Sequence, residues 1–183
     1  NRESHVIPHG IDFERFRPAP AGPARERVGW DAEGYHVLFP YPEERAVKNY
    51  PRAERVVDAA RERLDAPITL HSVTGVPHDE MAFYHNAADA LLLTSTHEGS
   101  PNAVKEALAC NLPVVSTDVG DVRTRLDGLE QAHVGRSDAE LVDGLVAGLR
   151  CDDPPRGREQ VREISRQRTG EQLLALYRQV ADG

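Results

Sequence analysis

Five short apolar runs, rich in β-branched residues, alternate with helix-like segments along most of the chain. They are YHVLFP (35–40), PITLHSV (67–73), DALLLTS (89–95), PVVST (113–117) and EQAHV (130–134). Two parallel strands must be joined by a long crossover, which is usually a helix, and a sheet covered on both faces has continuous apolar strands. The alternation therefore predicts an α/β fold with a parallel sheet flanked by helices.

The helical segments between these runs have apolar residues at helical spacing. The clearest is YPRAERVVDAARERL (50–64), where Pro51 suits the first turn. Further helices are predicted over 79–87, 100–110 and 137–149, and the tail 158–183 reads as one or two helices interrupted near Gly170. The segment APAGPARERVGW (19–30), rich in Pro, Gly and Ala, is interpreted as part of a linker.

Composition limits the partners and the compartment. The 183 residues suit one domain, and 30 acidic residues against 22 Lys and Arg give a formal charge of -8 without any basic stripe, which disfavours nucleic acid as a partner. No run reaches the roughly 18 apolar residues that span a bilayer, and the first ten residues do not read as a signal peptide. With only two cysteines and no C-x-x-C motif, the sequence predicts a soluble, cytoplasmic protein with reduced thiols.

The segment with the most candidate functional residues is THEGSPNAVKEA (96–107), directly after the third apolar run. Ligands of open parallel sheets bind at the carboxyl ends of the strands. Ser100 is predicted as the N-cap of a helix, Pro101 as its first residue, and Gly99 as room for close backbone approach. Such a helix start presents free N–H groups and a positive dipole end to an anion.

Two glutamates border this predicted helix start, with seven residues between them. Glu98 precedes the helix, and Glu106 lies on its flank on the same side as Asn102, one turn earlier. Lys48 follows the first strand, where it can reach the same crevice and bind phosphate. The residues alone leave a second interpretation open: an ordinary Ser-Pro helix start, a solvated Glu106 and a surface lysine at position 48.

The sequence lacks the motifs of metal sites and of several other enzyme classes. The eight histidines include no H-E-x-x-H pattern, and no cysteine pair accompanies them, so no metal site is predicted. The motifs G-x-G-x-x-G, G-x-x-x-x-G-K-[ST] and G-x-S-x-G are missing, which disfavours a dinucleotide dehydrogenase, a P-loop ATPase and an α/β-hydrolase. Without a D-x-D motif there is also no obvious acidic pair for a metal-bound nucleotide sugar.

The segment STHEGSPNAVKEALACNLPVVSTDVG (95–120) resembles the signature of retaining GT-B glycosyltransferases of the large group 1 family. Two other segments strengthen the resemblance: VIPHGIDFERFRP (6–18) is similar to the family's interdomain linker, and YHNAADALLLTS (84–95) to its Y-x-x-A-D strand. The residues of the first segment that match the signature are Ser95, Glu98, Gly99, Glu106, Ala107, Ala109, Cys110, Pro113, Val114, Val115, Thr117 and Gly120.

This resemblance implies the C-terminal half of a GT-B fold, a Rossmann-like domain with a helical tail. Residues 1–23 would then be the interdomain linker, and residues 24–183 the nucleotide-sugar-binding domain with its C-terminal helices. The missing N-terminal domain would carry the acceptor site, so the isolated fragment is expected to bind donor without transferring sugar. Some acceptors in the family are membrane-linked, which is compatible with peripheral membrane association of the full-length protein.

The family's functional residues map onto this sequence through the matching motifs. The resemblance implies that Glu98 contacts the hydroxyls of the donor sugar, that Glu106 accepts hydrogen bonds from the ribose, and that Lys48 contacts the diphosphate. It makes Glu98 and Lys48 the catalytic residues. The remaining donor-binding residues would be the diphosphate loop Gly99, Ser100, Pro101 and Asn102, and the nucleobase segment with Ser72, Val73, Gly75 and Val76.

Several positions depart from the family pattern. The arginine that usually precedes the diphosphate lysine by five or six residues is replaced by Pro42 and Glu43, which leaves Arg45 as the nearest substitute. The second of the family's paired glycines is Asp121 here, a departure close to the predicted sugar contacts. These changes indicate a distinct subgroup.

The resulting hypothesis is a retaining, metal-independent glycosyltransferase of hexosyltransferase type that takes a nucleotide sugar as donor and needs no cofactor. Two alternatives remain at this stage. A nucleotide-sugar epimerase of GT-B fold would need acid and base carboxylates in the missing half. A non-catalytic nucleotide-sugar-binding module would bind nucleotide without transferring sugar.

Overall fold

The computed structural model describes residues 7–151 and 156–181. It contains a five-stranded parallel sheet of order β2-β1-β3-β4-β5. The strands are β1 (Tyr35–Phe39), β2 (Ile68–Ser72), β3 (Ala90–Leu93), β4 (Val114–Thr117) and β5 (Ala132–Gly135). The predicted α/β fold is confirmed, and all five strands form within the apolar runs or within one residue of them.

Eight α-helices accompany the sheet in the described ranges. They are α1 (Ala21–Val28), α2 (Tyr50–Leu64), α3 (Met81–Ala87), α4 (Asn102–Ala109), α5 (Val122–Leu126), α6 (Asp138–Arg150), α7 (Gly157–Gln160) and α8 (Arg166–Ala181). Short 3₁₀ turns cover Ala46–Lys48 and Arg162–Ile164. None of the helices within these ranges is both long and apolar enough to cross a membrane.

Two hydrophobic cores lie on opposite faces of the sheet. Helices α2 and α6 cover one face through residues such as Val57 and Leu145, while α3, α4 and α5 cover the other through residues such as Leu108. The central strands β3 and β4 are buried along their whole length. Burial on both faces explains why these strands are continuous apolar runs rather than alternating ones.

Helix α2 illustrates how the sequence sets the packing. Its buried residues are Ala53, Val56, Val57 and Ala60, at the predicted helical spacing, and Pro51 lies in its first turn. On the polar side, Arg52 Nε donates a hydrogen bond to Asp138 Oδ1 of α6 at 2.7 Å, which ties the two helices together. Asn49, directly before the helix, adopts a left-handed conformation, a conformation that asparagine tolerates better than most residues.

Three local predictions need correction. The chain from Ala21 to Val28, interpreted as linker, forms helix α1, whose Arg25 pairs with Asp89 at 2.8 Å. The predicted boundary between residues 23 and 24 falls inside this helix, and the division into linker and domain remains a prediction.

The other two corrections concern helix ends. Helix α8 continues through Gly170, so the predicted interruption there is wrong. The tail breaks earlier, before α8, where Ile11 pairs with it. Ile11 N–H donates to the Ile164 carbonyl, and Arg166 N–H donates to the Ile11 carbonyl, both at 2.9 Å.

Helix α4 begins at Asn102, with Pro101 as an N-cap that has no side-chain cap bond, so Ser100 is not the cap. Residues 1–6, including the first residue of the linker motif, lie outside the described residues.

Candidate donor site at the carboxyl edge of the sheet

The candidate site lies where β1, β3 and β4 end and α4 begins. The loop after β3 carries Glu98, and the 3₁₀ turn after β1 carries Lys48. Thr94, at the end of β3, fixes this turn, because its hydroxyl donates to the carbonyls of Lys48 and Asn49 at 2.9 and 3.0 Å. The structure thus brings together residues about fifty positions apart in the sequence.

Lys48 and Glu98 form a buried ion pair. Lys48 Nζ donates to Glu98 Oε1 at 2.5 Å, and the hydroxyl of Ser95 donates to the same oxygen at 2.7 Å. Lys48 is only 5% exposed, so the interpretation of position 48 as a surface lysine is wrong. Its ammonium lies 3.6 Å from the centre of the Tyr41 ring, a cation–π contact that adds to the attraction.

Tyr41 lies near both predicted glutamates. Burial raises the pKa of its phenol above the ordinary value of 10.0, and the negative charges of Glu98 and Glu106 raise that pKa further. Tyr41 therefore stays a neutral phenol at physiological pH. Both carboxylates therefore lie near enough to act on this one phenol, and their role as a matched pair remains a prediction.

Glu106 is buried in the flank of α4 and held by two histidines. It is 7% exposed, which rules out the solvated acid. His78 Nε2 lies 2.9 Å from Glu106 Oε1, and His85 Nε2 lies 3.5 Å from Glu106 Oε2. Burial by itself raises the pKa of Glu106, but the neighbouring His85 and His78 outweigh this effect and bring that pKa below its ordinary value.

The proton on His78 can be placed from its neighbours. Its Nδ1 lies 3.4 Å from Nη1 of Arg15, and a guanidinium only donates hydrogen bonds. Nδ1 is therefore the acceptor, so Nε2 carries the proton and donates it to Glu106. His78, His85 and Arg15 were not identified from the sequence, because they come from other segments. His78 reaches Glu106 from the loop before α3 and His85 from α3, while Arg15 contacts His78 from the segment before α1.

The start of α4 follows directly on the loop that carries Glu98. Its first N–H groups have no acceptor within the helix, and no side chain caps them. The hydroxyl of Ser100, predicted to cap them, instead donates to Asp121 Oδ2 at 2.7 Å. Gly99, Ser100 and Asn102 are exposed, whereas Pro101 is buried. An uncapped helix start beside a buried ammonium is a favourable place for a phosphate group.

The predicted nucleobase segment lies at the same edge of the sheet, after β2. The hydroxyl of Ser72 donates to the Tyr41 carbonyl at 3.0 Å, and Val73 N–H donates to the Phe39 carbonyl at 3.0 Å. Gly75 has a φ of 72°, a conformation that favours glycine, and Val76 packs on the core beneath. These contacts set the backbone of the segment, and its role with the nucleobase remains a prediction.

Arg45 lies at the start of the 3₁₀ turn that carries Lys48. Its side chain is exposed and makes no hydrogen bond or ion pair within residues 7–151 and 156–181. Its charge acts on Tyr41, where it lowers the phenol pKa slightly against the larger raising effects. Arg45 is thus near the site, and its contact with a diphosphate remains a prediction.

In the part of the chain that the structure describes, no group of three or more His, Cys, Asp or Glu side chains could hold a metal ion.

Sequence comparisons identify relatives of this chain. The family model described as "Glycosyl transferases group 1" matches residues 49–150, more than half of the chain. A D-inositol 3-phosphate glycosyltransferase of Frankia alni is 30% identical over 179 residues, covering 79% of this chain and 44% of the relative. The chain therefore spans about half the length of the curated relatives it matches.

Solved structures show the same fold. A glycosyltransferase from Rickettsia africae superposes with a TM-score of 0.76 at 13% identity, covering 97% of this chain and 57% of that protein. The Anabaena protein HepE, solved in complex with UDP and glucose, gives a TM-score of 0.71 at 15% identity, covering 96% of this chain and 57% of that protein. At these identities the likeness establishes the fold alone.

Proposed function

The chain belongs to the group 1 glycosyltransferase family, and on that premise we propose that it is the donor-binding half of a retaining enzyme that takes a nucleotide sugar. The observation that carries the proposal is the uncapped start of α4, set between the Lys48–Glu98 pair and Glu106. In the proposed complex the diphosphate would bind at these positive groups, with an acceptor carboxylate toward either end of the ligand. HepE, a protein of this fold, was solved with UDP and glucose.

Glycosyl transfer creates negative charge on the departing diphosphate and positive charge at the anomeric carbon. In the proposed mechanism, the N–H groups at the start of α4 and the Lys48 ammonium stabilise the leaving diphosphate. Preorganised donors of this kind contribute on the order of 3 kcal/mol each to the transition state. Because these groups supply positive charge directly, the proposal needs no metal ion or other cofactor.

Glu98 is proposed to orient the donor sugar rather than attack it. The acceptor would approach the face from which the diphosphate leaves, which gives retention, and Glu98 would accept hydrogen bonds from sugar hydroxyls. Its carboxylate already accepts from Lys48 and Ser95 through Oε1. That leaves Oε2 for the sugar, while Lys48 keeps further N–H groups for the diphosphate.

Glu106 is proposed to bind the ribose. A carboxylate accepts up to about four hydrogen bonds, and in this structure Glu106 has one close donor, His78, with His85 at a longer distance. The carboxylate can therefore bind a vicinal diol while His78 fixes its orientation. The proposed ligand is thus a nucleotide sugar, defined by its ribose, diphosphate and sugar.

Isothermal titration calorimetry with UDP-sugars and GDP-sugars tests the proposal. We expect at least one nucleotide sugar to bind, and Lys48→Ala and Glu106→Ala each to weaken it about tenfold or more, as for loss of a charged hydrogen bond. Arg63→Ala and Glu62→Ala are matched controls at the far end of α2. Failure to bind any nucleotide sugar, or binding that neither site variant weakens, would contradict the proposal.

Product analysis of the protein in its full-length context separates transfer from the two alternatives. A glycosyltransferase consumes donor in the presence of an acceptor and extends that acceptor. Conversion of the donor sugar without any acceptor would instead indicate an epimerase. Tight binding with no product across an acceptor panel would indicate a non-catalytic module.

A further inference from the structure

The loop at the start of α4 is fastened to the loop at the start of α5. Asp121 N–H donates to the Gly99 carbonyl at 3.0 Å, and Ser100 Oγ donates to Asp121 Oδ2 at 2.7 Å. One residue thus holds Gly99 through its backbone and Ser100 through its side chain. Both belong to the loop proposed to face the diphosphate.

The backbones of these two loops are in direct contact. Gly120 has a φ of 55°, and a Cβ atom placed on it would lie 2.2 Å from the Gly99 carbonyl oxygen. Only glycine allows the approach that brings Asp121 within reach of both loop residues. The position of the α4 loop is therefore set by residues 120 and 121.

The Asp121 carboxylate is itself held in one orientation. Arg125, one turn further along α5, donates from Nε to Asp121 Oδ2 at 3.0 Å, and its side chain is largely buried. Arg125 Nη1 also lies 3.6 Å from Glu163, beyond α7. These contacts restrict the carboxylate to the rotamer that accepts from Ser100.

We propose that Asp121 is a positioning residue for the donor, which fixes the Gly99–Ser100 loop against α5. This inference rests on the proposed donor site. Asp121 acts through the loop and not by touching the reacting atoms. Its removal should therefore weaken diphosphate binding through the loss of loop geometry.

Binding of a nucleoside diphosphate, measured by calorimetry, tests the positioning role. Ser100→Ala removes one hydrogen bond from an exposed residue, so we expect about fivefold weaker binding with an unchanged melting temperature. Asp121→Ala should weaken binding about tenfold or more, and the double variant should be no weaker than Asp121→Ala, because the two residues form one contact. Asp121→Asn, which keeps an acceptor oxygen, should recover part of the affinity. Two exposed residues serve as controls: Thr124→Ala within α5 and Asp127→Ala directly after it.

The outcomes also separate this inference from the proposed function. If the wild-type protein binds nucleoside diphosphate and both Ser100→Ala and Asp121→Ala bind it equally well, the positioning role is wrong while the donor site stands. If the wild-type protein binds none of the nucleoside diphosphates tested, the donor site and the positioning role both fail.

Discussion

The surroundings of Glu98 and Glu106 differ, although both are largely buried acids at the same edge of the sheet. Glu98 is held by an ammonium and a hydroxyl, from Lys48 and Ser95. Glu106 accepts a hydrogen bond from the imidazole of His78, and the buried imidazole of His85 lies 3.5 Å away. The first pair unites a full positive and a full negative charge, whereas the second needs no cation, because a neutral imidazole can donate the hydrogen bond. Loss of the partner should therefore cost more at Glu98 than at Glu106.

The largest expected effect is that of Lys48→Ala on stability. It leaves the Glu98 carboxylate buried without its cation, and the loss of one partner of a buried ion pair costs about 3 to 5 kcal/mol. Chemical denaturation should show a decrease of that size in the free energy of unfolding. Adding Glu98→Gln should recover part of it. Arg63→Ala, which removes the exposed pair with Asp143, should cost at most about 1 kcal/mol.

Glu106→Ala should have a smaller effect on stability. It removes the acceptor of His78 and the neighbour of buried His85, and a buried polar group left without a partner costs about 1 to 3 kcal/mol. The same denaturation experiment measures it. A loss equal to or larger than that for Lys48→Ala would contradict the distinction between the two glutamates.

The pH dependence of stability sharpens the comparison further. Because the pKa of Glu106 is below 4.5 in the folded state, the unfolded chain binds more protons at this group as the pH falls. Its contribution to stability is full above pH 4.5 and is lost as the pH falls through the folded pKa. Unfolding free energies of wild type and Glu106→Gln, compared from about pH 3 to pH 6, should therefore converge toward acid. A difference that stays constant over this range would show that the carboxylate is not stabilised by its histidines.

The smallest expected effect is that of His78→Gln. The side chain of His78 is 57% exposed, so its hydrogen bond to Glu106 should contribute about 1 kcal/mol or less to stability. Glutamine can still donate to the carboxylate. We expect a change of a few tenths of a kcal/mol in unfolding free energy, near the resolution of the method. A loss above about 2 kcal/mol would mean that His78 carries more of the Glu106 environment than its exposure suggests.

The sheet could be predicted from the sequence because its signal is local. Each strand is a short apolar run, and helices such as α2 show their buried face in the spacing of Val56, Val57 and Ala60. The loop of the candidate site could be found because its glutamates, glycine and proline occur in one continuous segment. These features can be recognised in the sequence without knowing which residues pack against them.

The missed features depend on contacts between distant segments. Ser100 is a good cap by local preference, yet its hydroxyl is taken by Asp121 from the next loop. Gly170 lies inside α8. The break in the tail comes before α8, where the backbone of Ile11 pairs with Ile164 and Arg166. The histidines on Glu106 come from residues before and within α3, so no spacing within α4 could have indicated them.

The central claim is that Glu98 and Glu106 bind different parts of one nucleotide sugar. Calorimetry with a nucleoside diphosphate and with its nucleotide sugar, on Glu98→Gln and Glu106→Gln, tests it most directly. The account predicts that Glu106→Gln weakens both ligands by a similar factor, because both contain the ribose. It predicts that Glu98→Gln weakens only the nucleotide sugar, and that nucleoside diphosphate binds as well or better because Lys48 is released. Equal weakening of both ligands by Glu98→Gln, or unchanged diphosphate binding by Glu106→Gln, would contradict the account.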